Sequence, residues 1–295
     1  MALQNLLRTG TVITAVATCS LLAGCTGQVT ADLATDVPAD RDIDQVNVTL
    51  TGLEFRKDDG TAKTLTFRDG QPVNLMDYLI SFDRTPLRVF TNEALPNGTY
   101  TGVRLAFDTD PADDDEVVDV GGDSTPLVLA DGNYADFDLS VDDNKSSSES
   151  VTLTLDLRQS LSLNDAGDEY TLQPYLRSVS TRDAGEIVGS VVVTCPVSQP
   201  LAEGGAVYLF AGKNVEPDDR DNAGVEPVAT TEIYPTQTAG QFAYQLRNVP
   251  EGDYTIAMTC RGDEEDPTTS EDLEFRLIDN IQLDRAQTLR HDFGG

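Results

Sequence analysis

The sequence predicts an all-β protein made of two antiparallel β-sandwich domains of immunoglobulin or transthyretin type. Three observations predict it. Almost every apolar stretch after Gln28 alternates with a period of two, turn signals separate these stretches at short intervals, and no segment sustains a helical period. Short strands spaced in this way form sheets that bury one face and wet the other, which is the sandwich arrangement.

The chain is expected to begin with a leader. One base, Arg8, precedes an apolar run from Thr11 to Leu22 and then small residues, the pattern of a secretory signal peptide. The run is too short for a comfortable membrane span. "LLAGC", Leu21 to Cys25, resembles the lipobox of bacterial lipoproteins. That resemblance implies cleavage before Cys25, acylation of Cys25 and attachment to a membrane through the acyl chains. Thr26 stands where an Asp would favour inner-membrane retention, so the expected address is the outer membrane of the cell envelope, facing the periplasm or the exterior.

After the leader, "VNVTLTGLEF" puts Val46, Val48 and Leu50 on one face. "YTGVRLAF" does the same with Val103, Leu105 and Phe107, and "VTLTLDL" with Val151, Leu153, Leu155 and Leu157. Each is expected to be a half-buried strand. Turn signals lie at Lys57 to Gly60, Asp143 to Ser150 and Asn164 to Gly167, and Val73 to Ile80 can form a helical turn or two. A polar link, Ser180 to Glu186, divides the chain into a signal peptide at 1–24, an N-terminal sandwich at 25–181 and a C-terminal sandwich at 182–295.

One pattern recurs in both halves. Pro96, Gly98 and Tyr100 match Pro250, Gly252 and Tyr254 in spacing. Pro presets the first turn dihedral and Gly relieves the turn. Tyr then opens the next strand, where its ring packs inward and its hydroxyl reaches nearby backbone. The pattern reads as a structural corner used once per domain; two equivalent ligand loops are the alternative.

Composition limits the functions. The formal charge of −31 comes from 51 acids against 20 bases, 36 of the acids being Asp, and a surface so charged repels nucleic acid. Two readings of the acidity remain: a solvated surface suited to saline water, or calcium capture by carboxylate oxygens. The candidate calcium ligands are Asp108, Asp110, Asp113, Asp114 and Asp115 in one loop, and Asp218, Asp219 and Asp221 in another. EF-hand spacing fails in the second loop, where Ala223 occupies a ligand position and Thr230 stands at the closing position. No cofactor is expected, with calcium as the alternative.

Four cysteines are present. The lipobox resemblance implies that Cys19 leaves with the leader and Cys25 takes lipid, which leaves Cys195 and Cys260 as one pair in an expected oxidising compartment and predicts a disulfide. A catalytic or metal-bound cysteine is the alternative, with the single histidine, His291, as its helper. No nucleophile, base and orienting acid stand in a known motif, so no catalytic residues are assigned and no enzyme is expected. The chain has no Trp; Tyr208, Tyr234 and Tyr244 are the candidate sugar platforms, although Tyr244 alternates with Phe242 and Leu246 in core fashion. Arg261 to Asp263 spells an integrin-type tripeptide, too short to carry meaning alone.

"ATDVPAD" at Ala34 to Asp40, "IDQVNVTLTGLEF", "VNLMDYL", "LPNGTYTGVRL" and "YTLQPYLRSV" occur in the order seen in the domain of unknown function 4382 family of secreted lipoproteins. The family's "DAP" stands here as Asp36, Val37 and Pro38. The resemblance implies a β-sandwich lipoprotein at the envelope and brings no catalytic residues. "GEIVGSVVV", "GGAVYLF" and "GQFAYQLRNVPEGDYTIAMT" make the second half resemble transthyretin-like or carboxypeptidase-regulatory-like domains, grouped with carbohydrate-binding-like folds. The intramolecular Lys–Asn crosslink of some relatives is not expected, since Lys213 is the only lysine of that half and "TLRHDF" lacks Asn. The expected function is a non-catalytic, lipid-anchored binding or adhesion module for a glycan or surface protein. A structural or assembly scaffold is the alternative, and a calcium-dependent or carboxylate hydrolase a third.

Overall fold

The computed structural model describes residues 27–80, 84–108, 115–141, 148–196, 198 and 200–294. Strands dominate, as the alternation predicts. The N-terminal sandwich contains β1 (Gly27–Asp36), β2 (Ile43–Lys57), β3 (Ala62–Asn74), β4 (Leu87–Leu95), β5 (Gly98–Phe107) and β6 (Glu116–Asp119). It continues with β7 (Ser124–Leu129), β8 (Ala135–Val141), β9 (Ser148–Asp156), β10 (Leu161–Leu163), β11 (Tyr170–Leu172) and β12 (Leu176–Ser180). The C-terminal sandwich contains β13 (Gly185–Val191), β14 (Ala206–Ala211), β15 (Ala229–Glu232), β16 (Tyr234–Pro235), β17 (Phe242–Val249), β18 (Gly252–Thr259), β19 (Arg276–Leu283) and β20 (Thr288–Arg290). Among the described residues helix is confined to single turns such as Leu75–Tyr78, where the Asn74 side chain caps Met76 N, and Leu201–Gly204.

In the N-terminal sandwich a sheet of order β12-β9-β1-β4 faces one of order β10-β11-β7-β6-β2-β5-β8, with β3 added on β2. Val29, Leu33, Leu53, Phe55, Val103 and Leu153 meet between them without solvent exposure. In the C-terminal sandwich the orders are β16-β17-β13-β20 and β15-β14-β18-β19, and Ile187, Leu209, Leu246 and Ile256 fill the space between. The sheets are rich in antiparallel pairs but not wholly antiparallel. β1 runs parallel to β9, β11 to β7 and β13 to β20. Parallel neighbours need long connections, and the chain between β1 and β9 supplies one by building much of the opposite sheet.

The two corners close as the spacing suggests. Tyr100 Oη donates to the Pro96 carbonyl at 2.6 Å, and Tyr254 Oη to the Pro250 carbonyl at 2.8 Å. Their glycines are required for different reasons. Gly98 has φ +149°, whereas a Cβ on Gly252 would meet the Tyr254 ring at 3.1 Å. Tyr100→Phe and Tyr254→Phe should each lower stability by about 1 kcal/mol, the net worth of one such hydrogen bond. Chemical denaturation checks this, and unchanged midpoints would show the hydroxyls to be idle.

One strand departs from expectation. β9 is not half-buried: Val151 to Leu157 are buried without a break, including Thr152, Thr154 and Asp156 on the face expected to be wet. The reason is tertiary, since the C-terminal sandwich lies over that face.

Candidate functional site

The outer face of the β12-β9-β1-β4 sheet carries a polar layer. Register places Asp36 beside Asp156, and Ala34 and Arg177 on either side of Thr154, so Asp36, Thr154, Asp156 and Arg177 share one face. Thr154, Asp156 and Arg177 each make hydrogen bonds. Asp156 accepts from Thr230 N and Thr230 Oγ1, both at 2.9 Å, and from Gln159 Nε2 at 2.8 Å. Asn248 Nδ2 donates to Thr154 Oγ1 at 3.1 Å, and Arg177 Nη2 to the Arg247 carbonyl at 3.0 Å. Arg158, just past β9, donates to the Gly262 carbonyl, and Arg41 to the carbonyls of Ala202 and Gly205. Such groups are costly to bury unpaired, so these bonds hold the sandwiches at one mutual setting.

Within the layer Arg177 Nη1 lies 2.7 Å from Asp36 Oδ2, with side-chain exposures of 9% and 1%. The pair is close, yet its atoms are not aligned as a hydrogen bond. Burial pushes the Asp36 carboxyl up to about 7; Arg177 pulls it down, and the neighbouring charge of Asp156 adds to the rise.

Beside this junction the sandwiches part into a cleft of about 390 Å³, walled by Tyr134, Asp136, Tyr175 and Arg177 on one side and by Val249 and Tyr254 on the other. Beyond Tyr175 a second lobe of about 280 Å³ is lined by Asn133, Gln173, Arg220, Asn222 and Thr268. The first volume falls within the range of small-ligand sites and the second just below it, and the walls mix aromatic rings with amides, carboxylates and guanidinium groups. Arginines pack on two of the rings. The Arg220 guanidinium lies 4.3 Å from the centre of Tyr175, while Arg56 and Arg104 lie 4.6 and 4.8 Å from that of Tyr134. Burial raises the phenol pKa of Tyr175 and of Tyr254, which keeps both hydroxyls protonated and able to donate.

The residues singled out in the sequence are dispersed. Cys195 and Cys260 form a disulfide with Cα atoms 5.8 Å apart. Cys25, Asp110, Asp113 and Asp114 lie outside the described residues. Asp115 accepts from Thr49 N at 3.0 Å and Asp108 N donates to the Thr49 carbonyl, so the two ends of that loop are tied to β2. In the second loop Asp221 accepts from Ala223 N within a turn, Asp218 is exposed, and Asp219 is buried against Glu265 and Glu271. Tyr208 and Tyr244 are 0% and 1% exposed, which removes both as sugar platforms; Tyr234 is half-buried. Both rings point where the strand alternation and the overlying loops bury them. The His291 ring meets Tyr244 Oη and Asp279 Oδ2, each at 3.2 Å. The Arg261–Asp263 tripeptide is built into the junction, because Gly262 is buried and its carbonyl takes the bond from Arg158.

Nothing in the local sequence assigns a role to Tyr175, Arg177, Arg158, Asp156 or Glu265. The available signal was at the end of β9: Asp156 closes a strand whose outer residues are otherwise serines and threonines, and Arg158 follows just past it. A wet face seldom needs that choice, and a covered one does.

Comparison with known proteins adds a family. No curated protein matches the chain in sequence. Among solved structures it is similar to the TIE protein of Bacillus anthracis, at 10% identity and a TM-score of 0.20, with 90% of this chain against 33% of that one. It is also similar to a fimbrial protein of Bacteroides ovatus, at 12% identity and TM-score 0.18, with 92% against 49%. A C-terminal fragment of the pilus adhesin SpaC of Lactobacillus rhamnosus matches at 16% identity and TM-score 0.15, with 90% against 96%. The chain thus spans about a third and about a half of the first two, and superpositions this loose establish no correspondence of residues. The family model is decisive: it matches residues 26–174, just over half of the 295, and the protein belongs to the family described as Domain of unknown function (DUF4382).

Proposed function

We propose that this chain is a lipid-anchored protein of the bacterial cell envelope that acts, without catalysis, as a binding or adhesion module for a glycan or a surface protein. The observation that carries the binding reading is the two-lobed cleft divided by Tyr175, held open between sandwiches that buried bonds keep in place. A preset cleft loses little freedom on binding, and its amides, carboxylates and arginines suit the hydroxyls of a saccharide. The transthyretin-like character of the C-terminal half belongs to this reading, as does anchoring through Cys25. A second reading, an assembly scaffold, draws support from the same junction, since fixed mutual setting is what a spacer requires.

The test joins address and ligand. Cys25→Ser should move the protein from the membrane to the soluble fraction, and the released protein should retain binding on a glycan array. Tyr175→Ala should weaken that binding at least about tenfold, the scale of one well-placed aromatic contact. Membrane retention of Cys25→Ser would refute the anchor. Binding indifferent to Tyr175→Ala would refute the cleft, and no ligand on glycan array or pull-down would favour the scaffold.

A further inference from the structure

We propose that Asp219, Glu265 and Glu271 form a calcium site that fastens the Pro217–Gly224 loop to the outer face of the β14–β18 layer. Calcium takes its ligands from oxygens at about 2.4 Å, so two ligands on opposite sides of one ion stand up to about 4.8 Å apart. One carboxylate oxygen from each of these three residues lies within 4.8 Å of the other two.

The neighbouring structure explains why they converge. β14 is buried on both faces; on the outer one Ala206, Tyr208 and Phe210 are covered with the help of Leu273 and Phe275. Tyr208 Oη donates to Glu265 Oε2 at 2.7 Å and Arg220 N to Glu265 Oε1 at 2.9 Å, which orients that carboxylate. Asp219 Oδ2 accepts from Glu271 N at 2.6 Å, pinning the loop to the segment that carries Glu271.

A separate observation calls for a ligand. Asp219 is 1% exposed, and its second oxygen, Oδ1, is shut off from solvent and meets no donor. Buried carboxylate oxygens are ordinarily satisfied, by a donor or by a metal. Asp219 and Glu271 also line a cleft with Glu216, Asp218, Asp272 and Glu274, and no basic side chain is among the described residues lining it. That cleft is an acidic entry path. The donor set is oxygen only, which suits a hard cation rather than zinc or copper. Arg158, whose charge acts on Glu265, has its Nη1 engaged by the Gly262 carbonyl. The site stands behind Arg220 and Asn222 of the ligand cleft, but it needs no ligand there.

Terbium, a luminescent stand-in for calcium, tests the proposal on the full mature chain. The protein has nine tyrosines and no tryptophan, and Tyr208, bonded to Glu265, is placed to sensitise a bound ion. Saturable emission excited through tyrosine is expected, displaced by calcium at the submillimolar to millimolar levels typical of extracellular modules. Asp219→Asn and Glu271→Gln should each weaken it at least about tenfold, whereas Asp221→Asn, whose carboxylate serves a turn, should leave it unchanged. Calcium should also raise the melting temperature of the parent and not that of Asp219→Asn. Should Asp219→Asn fail to fold, Glu271→Gln on its half-buried side chain carries the same comparison. Absence of saturable emission, or emission that survives both substitutions, overturns the site. A melting temperature raised by Asp219→Asn with no calcium response in the parent also overturns it, showing a protonated carboxyl instead.

Discussion

At pH above about 7, where Asp36 is ionised, Arg177→Met should destabilise the protein by about 3–5 kcal/mol, the usual effect of stripping one partner from a buried ion pair, and the loss should shrink at lower pH as Asp36 takes up its proton. Arg177 lies against Asp36 on the covered face of the N-terminal sandwich, where both are nearly shut off from water. Burial holds the Asp36 carboxyl at about 7 in the folded protein, against an ordinary 3.8. The folded state therefore keeps a proton that the unfolded chain releases. The stability from this group is full below the ordinary value and is lost as pH rises through about 7. Arg177 is the influence that restrains the rise, so its removal makes the ionised form of Asp36 still harder to bury.

Denaturant midpoints near pH 5 and near pH 9 measure the effect, the second being expected to show the larger loss. Adding Asp36→Asn to Arg177→Met should recover part of the stability, because no charge is then left unpaired. A loss equal at both pH values, with no recovery in the double variant, would assign the effect to packing alone.

The second large effect is expected at the disulfide. Replacing both Cys195 and Cys260 with Ser should cost about 4 kcal/mol, the chain entropy of opening a loop whose ends are 65 residues apart. The bridge ties the segment after β13 to the end of β18, and Cys260 is buried beside the C-terminal core. Two residues beyond it stands Gly262, the acceptor for Arg158, so loss of the bridge should loosen the junction as well as the sandwich. Urea midpoints with and without reductant provide the comparison. Equal midpoints would mean that native contacts hold this loop without covalent help.

Much of this architecture was legible because its causes are local. Period-two alternation is imposed by a strand that buries one face, which is why β2 and β5 could be read from their own residues. The corners were legible for the same reason: each Tyr hydroxyl reaches a carbonyl only four residues back, at Pro96 and Pro250. The cysteine pair followed from parity and from the compartment that the leader-like segment leads one to expect. Parallel pairing of β1 with β9 left no such mark, since pairing direction depends on where distant segments meet. β9 shows the limit most clearly, its threonines and Asp156 reading as a wet face until a second sandwich covers them.

The candidate sites were legible only in part. Asp219 stood out in an acidic loop, but Glu265 and Glu271 come from a segment about 50 residues away, and no spacing rule joins them. The cleft was hidden altogether, since Tyr175 and Tyr254 belong to different halves and meet only across the junction.

The sequence by itself determined the all-β class, the corners and the family likeness that the family model then matched over residues 26–174, and its leader-like segment sets the expectation of an envelope address. These rest on side-chain periodicity, turn chemistry and leader composition, each set within a few residues of chain. Tertiary structure alone decided which polar residues are buried, how the sandwiches are joined and which carboxylates converge. Burial and pairing are properties of surfaces brought together from distant parts of the chain, and Asp36 beside Asp156 under Arg177 exists only once that assembly is made.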